Sequence, residues 1–300
     1  MHKKLLHASI FVISSLLFSP HSSIGQTSTP ASAKPDSTGK KNISDKTDGL
    51  GVAVSPSSLR FNVRPGSSAH QNVKITNDSK NVFKFNLTFM DYMQDTKGKP
   101  VAAPSANYKY GLSKWVNVAP SYIELKPGET KNVTVTVEIP NSDDGAVAAF
   151  TIMMIDQVTE RGALDPGKGK GNSVALGVVP SIGFGVYIYQ NPPNVKVNQV
   201  EISNFAYVKK EKEKSALNMK LINKGDGIGF CTTYVELTNK KTGEQKKLPA
   251  RNYTILPGFI REFDFPLPDD LPKGKYSAVG VMDFGSKDHI EAAELDFTLE

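Results

Sequence analysis

Residues 123–139 read IELKPGETKNVTVTVEI, and apolar side chains recur at every second position on both sides of a Pro-Gly turn. From Val133 to Ile139 the odd positions are apolar and the even positions are Thr or Glu. A period of two is typical of a β-strand that buries one face. Pro127 and Gly128 favour a tight turn before this strand. The segment therefore predicts β-structure with a sharp change of direction at its centre.

The same period continues through most of the chain outward from this segment. Phe83, Phe85, Leu87 and Phe89 alternate with polar residues, whereas the run from Ala146 to Ile155 is apolar on both faces, as in a central strand. Clusters of Pro, Gly, Asn and Asp separate these runs at the spacing of β-sandwiches. Ten-residue stretches with convincing helical periodicity are missing, so the predicted fold class is all-β.

A proline-containing segment divides the strands into two series. Asn191-Pro192-Pro193-Asn194 restricts the backbone as a stiff elbow would, and a second series of alternating segments follows it. We therefore predict two immunoglobulin-like β-sandwich domains, over residues 51–191 and 192–300.

The first fifty residues have a different composition. A basic start at residues 1–4 and an apolar stretch from Leu5 to Phe18 are typical of a secretory signal peptide, assigned here to residues 1–25. Residues 26–50 are rich in Ser, Thr, Pro, Lys and Gly and predict a disordered linker. We expect a periplasmic or secreted protein with no stable membrane insertion after signal cleavage.

Charge and reactive residues argue against several classes of function. The formal net charge is +6, but the first fifty residues carry six Lys and three Asp, leaving 30 basic and 27 acidic residues in the body. This small excess does not indicate nucleic-acid binding. Cys231 is the single cysteine and is predicted to be a buried small apolar residue. His70, predicted at a turn, and His289 have no nucleophile or metal ligand at local spacing. We expect no enzyme activity, no cofactor and no metal site.

The strand before the elbow has the strongest separation of its two faces. Even positions from Val174 to Ile188 are apolar, whereas odd positions are mostly Ala, Gly and Ser until Tyr187 and Tyr189. Side chains on alternate faces of a strand would form an apolar ridge opposite a bare face. Two interpretations remain open: the ridge faces the core of its own sandwich, or it is offered to a partner at a sheet edge.

The first domain resembles that of periplasmic pilus chaperones. The resemblance rests on Val54 to Phe61, Val73 to Asn77, Trp115 to Pro120, Ile123 to Glu129 and the ridge before the elbow. It covers residues 51–191, and the plan of two sandwiches covers most of the remaining chain. Similar turn and strand patterns occur in bacterial immunoglobulin-like surface domains, which makes a structural or adhesive surface protein the alternative.

The resemblance implies that the ridge is lent to an incomplete subunit, with affinity from main-chain hydrogen bonds and selectivity from alternate side chains. The partners would be extracytoplasmic proteins such as pilus or surface subunits. In that family two basic residues in the cleft hold the subunit's terminal carboxylate. Arg60 is the candidate anchor here, although it is one position out of phase, and Gly185 and Val186 occupy the place of the second basic residue. The candidate strand-donating residues are Leu176, Val178, Ile182, Phe184, Val186 and Ile188.

Overall fold

The computed structural model describes residues 51–105, 107–159, 181–195, 199–209, 214–286 and 288–300. In these ranges the chain forms β-strands and two short 3₁₀ turns, Ser113–Trp115 and Asp143–Ala146, with no α-helix. The all-β prediction is confirmed for this part of the chain. The predicted signal peptide and linker lie outside the described residues.

Within those ranges there is no helix with the length and apolar character needed to cross a bilayer.

Among the described residues, eleven strands precede the elbow, and nine of them build two sheets that face each other. One sheet has the order β1-β3-β9-β7 and the other the order β2-β11-β10-β4-β8, while β5 and β6 form a separate hairpin. The strands are β1 (Val52–Ser55), β2 (Ser58–Phe61), β3 (Ser68–Asn77), β4 (Phe83–Met90), β5 (Tyr92–Gln94), β6 (Pro100–Ala102), β7 (Val116–Ala119), β8 (Tyr122–Leu125), β9 (Thr130–Glu138), β10 (Ala149–Gln157) and β11 (Gly183–Gln190).

The alternation from Val133 onward buries one face of β9 against the opposite sheet. Val133, Val135 and Val137 are fully buried in the core of the first sandwich. The turn before them does not form a hairpin, because β8 and β9 belong to opposite sheets. Gly128 has φ 74°, a left-handed conformation that glycine adopts without a Cβ penalty. This turn therefore carries the chain from one layer of the sandwich to the other.

The strands after the elbow form a second sandwich. Its sheets have the order β12-β13-β17 and the order β15-β14-β18-β19, with β16 also paired to β14. Cys231 lies in the core between these sheets, as predicted. The strands are β12 (Val200–Val208), β13 (Ala216–Asn223), β14 (Gly229–Asn239), β15 (Gln245–Lys247), β16 (Arg251–Ile255), β17 (Ile260–Pro266), β18 (Gly274–Asp283) and β19 (Glu291–Leu299).

The elbow is tied to both sandwiches by Asn191. Its main-chain N–H donates to the Phe61 carbonyl at a nitrogen to oxygen distance of 3.0 Å. Its side-chain amide accepts from the Ile228 N–H at 2.9 Å and donates to the Ile228 carbonyl at 3.1 Å. A third apolar cluster also spans the junction, since Phe150 and Tyr189 of the first sandwich pack with Leu256 of the second. Both sandwiches belong to one compact unit, Thr47–Glu300, so the domain boundaries stay a prediction.

Candidate functional site

Strand β11 has a neighbour along only half of one edge. It pairs with β10 over its whole length, from Gly183 opposite Asp156 to Gln190 opposite Ala149. On the other side it pairs with β2 in parallel, but only from Tyr187 to Gln190. Among the residues that the structure describes, no strand pairs with the outer edge from Gly183 to Val186. This half edge is the candidate site, which we call the open edge.

The open edge exists because the first strand of the sandwich divides itself between two sheets. Val52–Ser55 pairs with β3 in one sheet, and Ser58–Phe61 pairs with β11 in the other. Pro56 lies between the two segments and has no N–H with which to continue a ladder. As a result, β2 reaches β11 only at Tyr187 and leaves the preceding residues uncovered.

The hydrogen bonds fix which backbone groups face outward. The Tyr187 N–H donates to the Ser57 carbonyl at 3.1 Å, so odd residues of β11 point away from β10. Gly183 and Gly185 have the same orientation, because backbone direction alternates along a strand. Their N–H and C=O groups therefore face the open edge, whereas those of Phe184 and Val186 face β10.

Gln157 holds the beginning of this edge in an extended conformation. Its main-chain N–H donates to the Ile182 carbonyl at 2.9 Å, and its side-chain oxygen accepts from the Ile182 N–H at 3.0 Å. The two bonds extend the ladder with β10 one residue before β11. Sequence reasoning did not identify Gln157, because its partner is 25 residues away and no local pattern marks it.

The candidate donor side chains divide into exposed and buried groups. Ile182 is 40% exposed, and Phe184 is half-buried with its ring centroid 6.3 Å from that of Phe85 in an edge-to-face contact. Val186 and Ile188 are fully buried in the core. The core-facing interpretation of the ridge therefore applies to these last two, whose side chains are not available to a partner in this structure.

The remaining two candidates, Leu176 and Val178, lie outside the described residues.

The open edge also lacks the features that usually protect a sheet edge. Natural edge strands are shielded by charged side chains, by proline or by a bulge. From Ile182 to Val186 the chain carries no charge and no proline, and β11 pairs with β10 without a register shift. Gly183 and Gly185 leave the outer face of this half strand without side chains. The segment is thus suited to receive another strand.

The candidate carboxylate anchor, Arg60, lies on β2 beside the junction of the sandwiches. It is opposite Tyr189 in the ladder, and its side chain is exposed. Its guanidinium carbon is 3.7 Å from the centroid of the Phe230 ring, which belongs to the second sandwich. None of the described carboxylates forms an ion pair with it. Its N–H donors therefore have no carboxylate partner in the part of the chain that the structure describes, while the contact with Phe230 fixes where the guanidinium lies.

Two buried tyrosines, Tyr92 and Tyr189, belong to the apolar cluster at the junction. Burial raises the pKa of Tyr189, and the positive charge of Arg60 opposes this rise in part. Burial likewise raises the pKa of Tyr92, and the neighbouring tyrosines add to this effect. Both phenols are therefore neutral over the physiological pH range and act as packing groups with polar tips.

The two histidines outside the first fifty residues lie apart from the open edge. His70 is exposed on β3, opposite Thr136, so the prediction that placed it at a turn is wrong. Strand β3 begins at Ser68, so His70 lies within the strand. His289 has its Nε2 atom 2.6 Å from Glu291 Oε1 on an exposed surface. In the described part of the chain, no group of three or more His, Cys, Asp or Glu side chains is placed to hold a metal ion.

Comparison with known proteins gives structural matches alone. No family model matches the chain, and no curated protein matches it by sequence. The E. coli chaperone DraB is 18% identical, with 81% of this chain and 98% of that chain covered and a TM-score of 0.38. For the Pseudomonas aeruginosa CupB2 chaperone the identity is 13%, the coverage 82% and 100%, and the TM-score 0.39.

A third match is a structure of the Salmonella enterica SafA pilin in complex with the SafB chaperone. Its identity is 14%, it covers 82% of this chain and 96% of that chain, and its TM-score is 0.39. Because all three TM-scores lie below 0.5, the fold and the site are defined here by this chain's own strands and side chains.

Proposed function

We propose that this protein is a non-enzymatic, extracytoplasmic binding protein that captures partner proteins by β-strand addition at the open edge of β11. Its partners are surface or pilus subunits that lack a strand of their own, so the protein acts as their chaperone. The periplasmic or secreted location rests on the signal-like composition of residues 1–25.

The observation that carries this proposal is the half-covered edge itself. Gly183 and Gly185 direct main-chain donors and acceptors outward, and no described strand receives them. An extended segment of a partner can satisfy these groups without any rearrangement of the sandwich. Strand addition of this kind draws its affinity from the main chain, so it requires no reactive side chain.

The side chains beside the edge indicate what the incoming segment contacts. Ile182 is exposed and Phe184 is half-buried, so both present apolar surface close to the unpaired backbone. A partner strand with apolar residues would bury this surface as it pairs. The proposed recognition therefore combines two backbone positions with two apolar side chains.

A substitution at Gly183 tests the proposal at the backbone. In Gly183→Pro the outward N–H is lost, while the bonds of neighbouring residues to β10 are kept. Gly183→Ala is the matched control, because it keeps the N–H and adds the same Cβ, which lies 3.1 Å from Asp156 Oδ1. The immobilised chain without residues 1–25 is incubated with a cell-envelope extract of its host, and the retained proteins are identified.

We expect the parent chain and Gly183→Ala to retain the same partner in similar amounts. Gly183→Pro should retain at least about tenfold less, because the loss of one hydrogen bond leaves the partner's acceptor unpaired. If a folded Gly183→Pro variant retains as much partner as Gly183→Ala, strand addition at this edge is wrong. The retained partner is then expressed alone: aggregation without this protein supports a chaperone, whereas a soluble, folded partner supports the adhesive alternative.

A further inference from the structure

The β5–β6 hairpin of the first sandwich reaches an edge strand of the second. The Thr96 carbonyl, in the turn between β5 and β6, accepts from the Glu262 N–H of β17 at 2.8 Å. The Lys97 ammonium lies 3.7 Å from Glu262 Oε2. Because β17 ends the order β12-β13-β17, this main-chain bond lies on a sheet edge with which no strand of the described residues pairs.

The turn is shaped for this contact. Asp95 Oδ1 accepts from the N–H groups of Lys97, at 2.9 Å, and Lys99, at 2.8 Å, which holds the turn closed. Gly98 has φ 81°, and a Cβ added there would collide with the Arg261 guanidinium. The left-handed backbone therefore favours glycine at this position, and a Cβ there would have to displace the Arg261 guanidinium.

Arg261 is held on the other side by aromatic rings of the second sandwich. Its guanidinium carbon lies 5.4 Å from the ring centroid of Phe263 and 5.8 Å from that of Tyr253. Gly98 therefore lies against a guanidinium that also contacts the rings of Phe263 and Tyr253. The contact between the hairpin and β17 combines a backbone hydrogen bond, an ion pair and this packed arginine.

Other groups close the rest of the β17 edge. The Glu262 N–H points away from β13, and Asp264 shares that orientation, since alternate residues of a strand face the same way. Arg251 donates from Nη2 to the Asp264 carbonyl at 2.8 Å. Pro266 has no N–H to offer. The β17 edge is therefore shielded at successive positions, in contrast to the open edge of β11.

The hairpin contact includes a polar atom without a partner. Arg261 Nε, in the side chain that lies against Gly98, is buried and has no hydrogen-bond partner among the described protein atoms. Buried polar atoms are nearly always paired in stable interfaces, so this unpaired atom favours separation of the surfaces over closure. The hydrogen bond from the Glu262 N–H to the Thr96 carbonyl and the ion pair between Lys97 and Glu262 favour the closed contact.

We propose that the β5–β6 hairpin is a releasable clasp on the edge of β17. Closed, it joins the two sandwiches at a point remote in sequence from the elbow and covers the Glu262 amide. It opens by local separation of the turn from β17, while both sandwiches remain folded. This inference does not depend on strand addition at β11.

Hydrogen exchange at the Glu262 amide tests the clasp. Gly98→Ala forces a Cβ into the Arg261 guanidinium and strains the turn. Gly243→Ala is the matched control, because Gly243 has φ 74° in a turn of the second sandwich with nothing within 4 Å of an added Cβ. Exchange is followed by NMR on the chain without residues 1–25. We expect Glu262 to exchange about tenfold faster or more in Gly98→Ala, with the amides of β13 unchanged, as for local opening.

A charge reversal gives a milder version of the same test. Lys97→Glu places a carboxylate against Glu262, whereas Lys99→Glu reverses an exposed charge in the same turn. The clasp predicts faster Glu262 exchange in Lys97→Glu and parent-like exchange in Lys99→Glu. Two results would contradict the clasp. The first is exchange of the Glu262 amide at the parent rate in both folded Gly98→Ala and Lys97→Glu. The second is faster exchange of Glu262 and of the β13 amides together in both variants.

Discussion

The Tyr187 N–H donates to the Ser57 carbonyl at 3.1 Å, and this bond marks the point where β2 first meets β11. After it the strand is paired on both sides, and before it the outer edge is unpaired within the described residues. The two halves of this strand therefore differ. Val186 and Ile188 lie in the core of a sandwich, while the outer edge from Gly183 to Val186 has no partner strand among the described residues.

The two ends of the apolar ridge should differ in their contribution to stability. Ile188→Ala removes a fully buried side chain and should lower the free energy of unfolding by about 2–5 kcal/mol. Ile182→Ala truncates a side chain that is 40% exposed and should change it by less than about 0.5 kcal/mol. Urea denaturation of the two variants measures the difference. Equal losses would mean that the ridge is not divided as described.

Gln190 should be important for the pairing of β2 with β11. Its buried side chain accepts from the Val63 N–H at 3.1 Å and donates to the Val63 carbonyl at 2.7 Å. Gln190→Ala leaves both backbone groups without this partner and should cost about 2–4 kcal/mol in urea denaturation. Gln71→Ala removes an exposed bond to the Arg60 carbonyl and serves as the control. A loss in Gln190→Ala no larger than that of the control would contradict this role.

Arg60 should contribute little to folding and more to binding. Arg60→Ala removes the guanidinium from the Phe230 ring, which should cost about 0.5–1 kcal/mol of stability at an exposed site. If Arg60 also binds a partner's carboxylate, the same variant retains less partner, and the loss shrinks as salt is added. Capture by Arg60→Ala is compared at about 50 mM salt, where screening is weak, and at about 500 mM salt, where it is strong. Parent-level capture at both concentrations would remove Arg60 from the site.

The Cys231 thiol should make stability fall at alkaline pH. Burial raises its pKa from the ordinary value of 9.0 to about 12. Between these values the unfolded chain binds fewer protons than the native one, so the free energy of unfolding decreases as pH rises. Stability is therefore unaffected by this group below about pH 9 and declines toward pH 12. Urea denaturation of the parent chain and Cys231→Ala across this range should show a steeper decline in the parent; parallel curves would contradict the assignment.

Sequence periodicity predicted the faces of the strands well and their neighbours poorly. The alternation from Val133 to Ile139 indicates which side chains are buried, because burial follows directly from the two-residue period. It does not indicate that β8 and β9 lie in opposite sheets. For the same reason the sequence indicated the apolar ridge. It did not indicate that the outer edge of β11 becomes paired after Val186, because that depends on β2, a strand more than about a hundred residues earlier in the chain.

Long-range contacts account for the other features that sequence reasoning missed. Asp95, Lys97 and Gly98 form a recognisable turn signal, yet nothing local to them indicates Glu262 or Arg261 as partners. Arg60 was placed near a cleft by resemblance, whereas its contact with Phe230 depends on how the second sandwich meets the first. Each of these contacts joins residues that only the tertiary fold brings together.

The most direct test of strand addition at the open edge is amide hydrogen exchange along β11, measured with and without a captured partner. In the free protein, the Gly183 and Gly185 amides should exchange rapidly, while Phe184 and Val186, which face β10, should be protected. Binding of a partner strand should slow Gly183 and Gly185 and leave the other two nearly unchanged. Protection of Gly183 and Gly185 in the free protein, or no slowing on binding, would contradict strand addition at this edge.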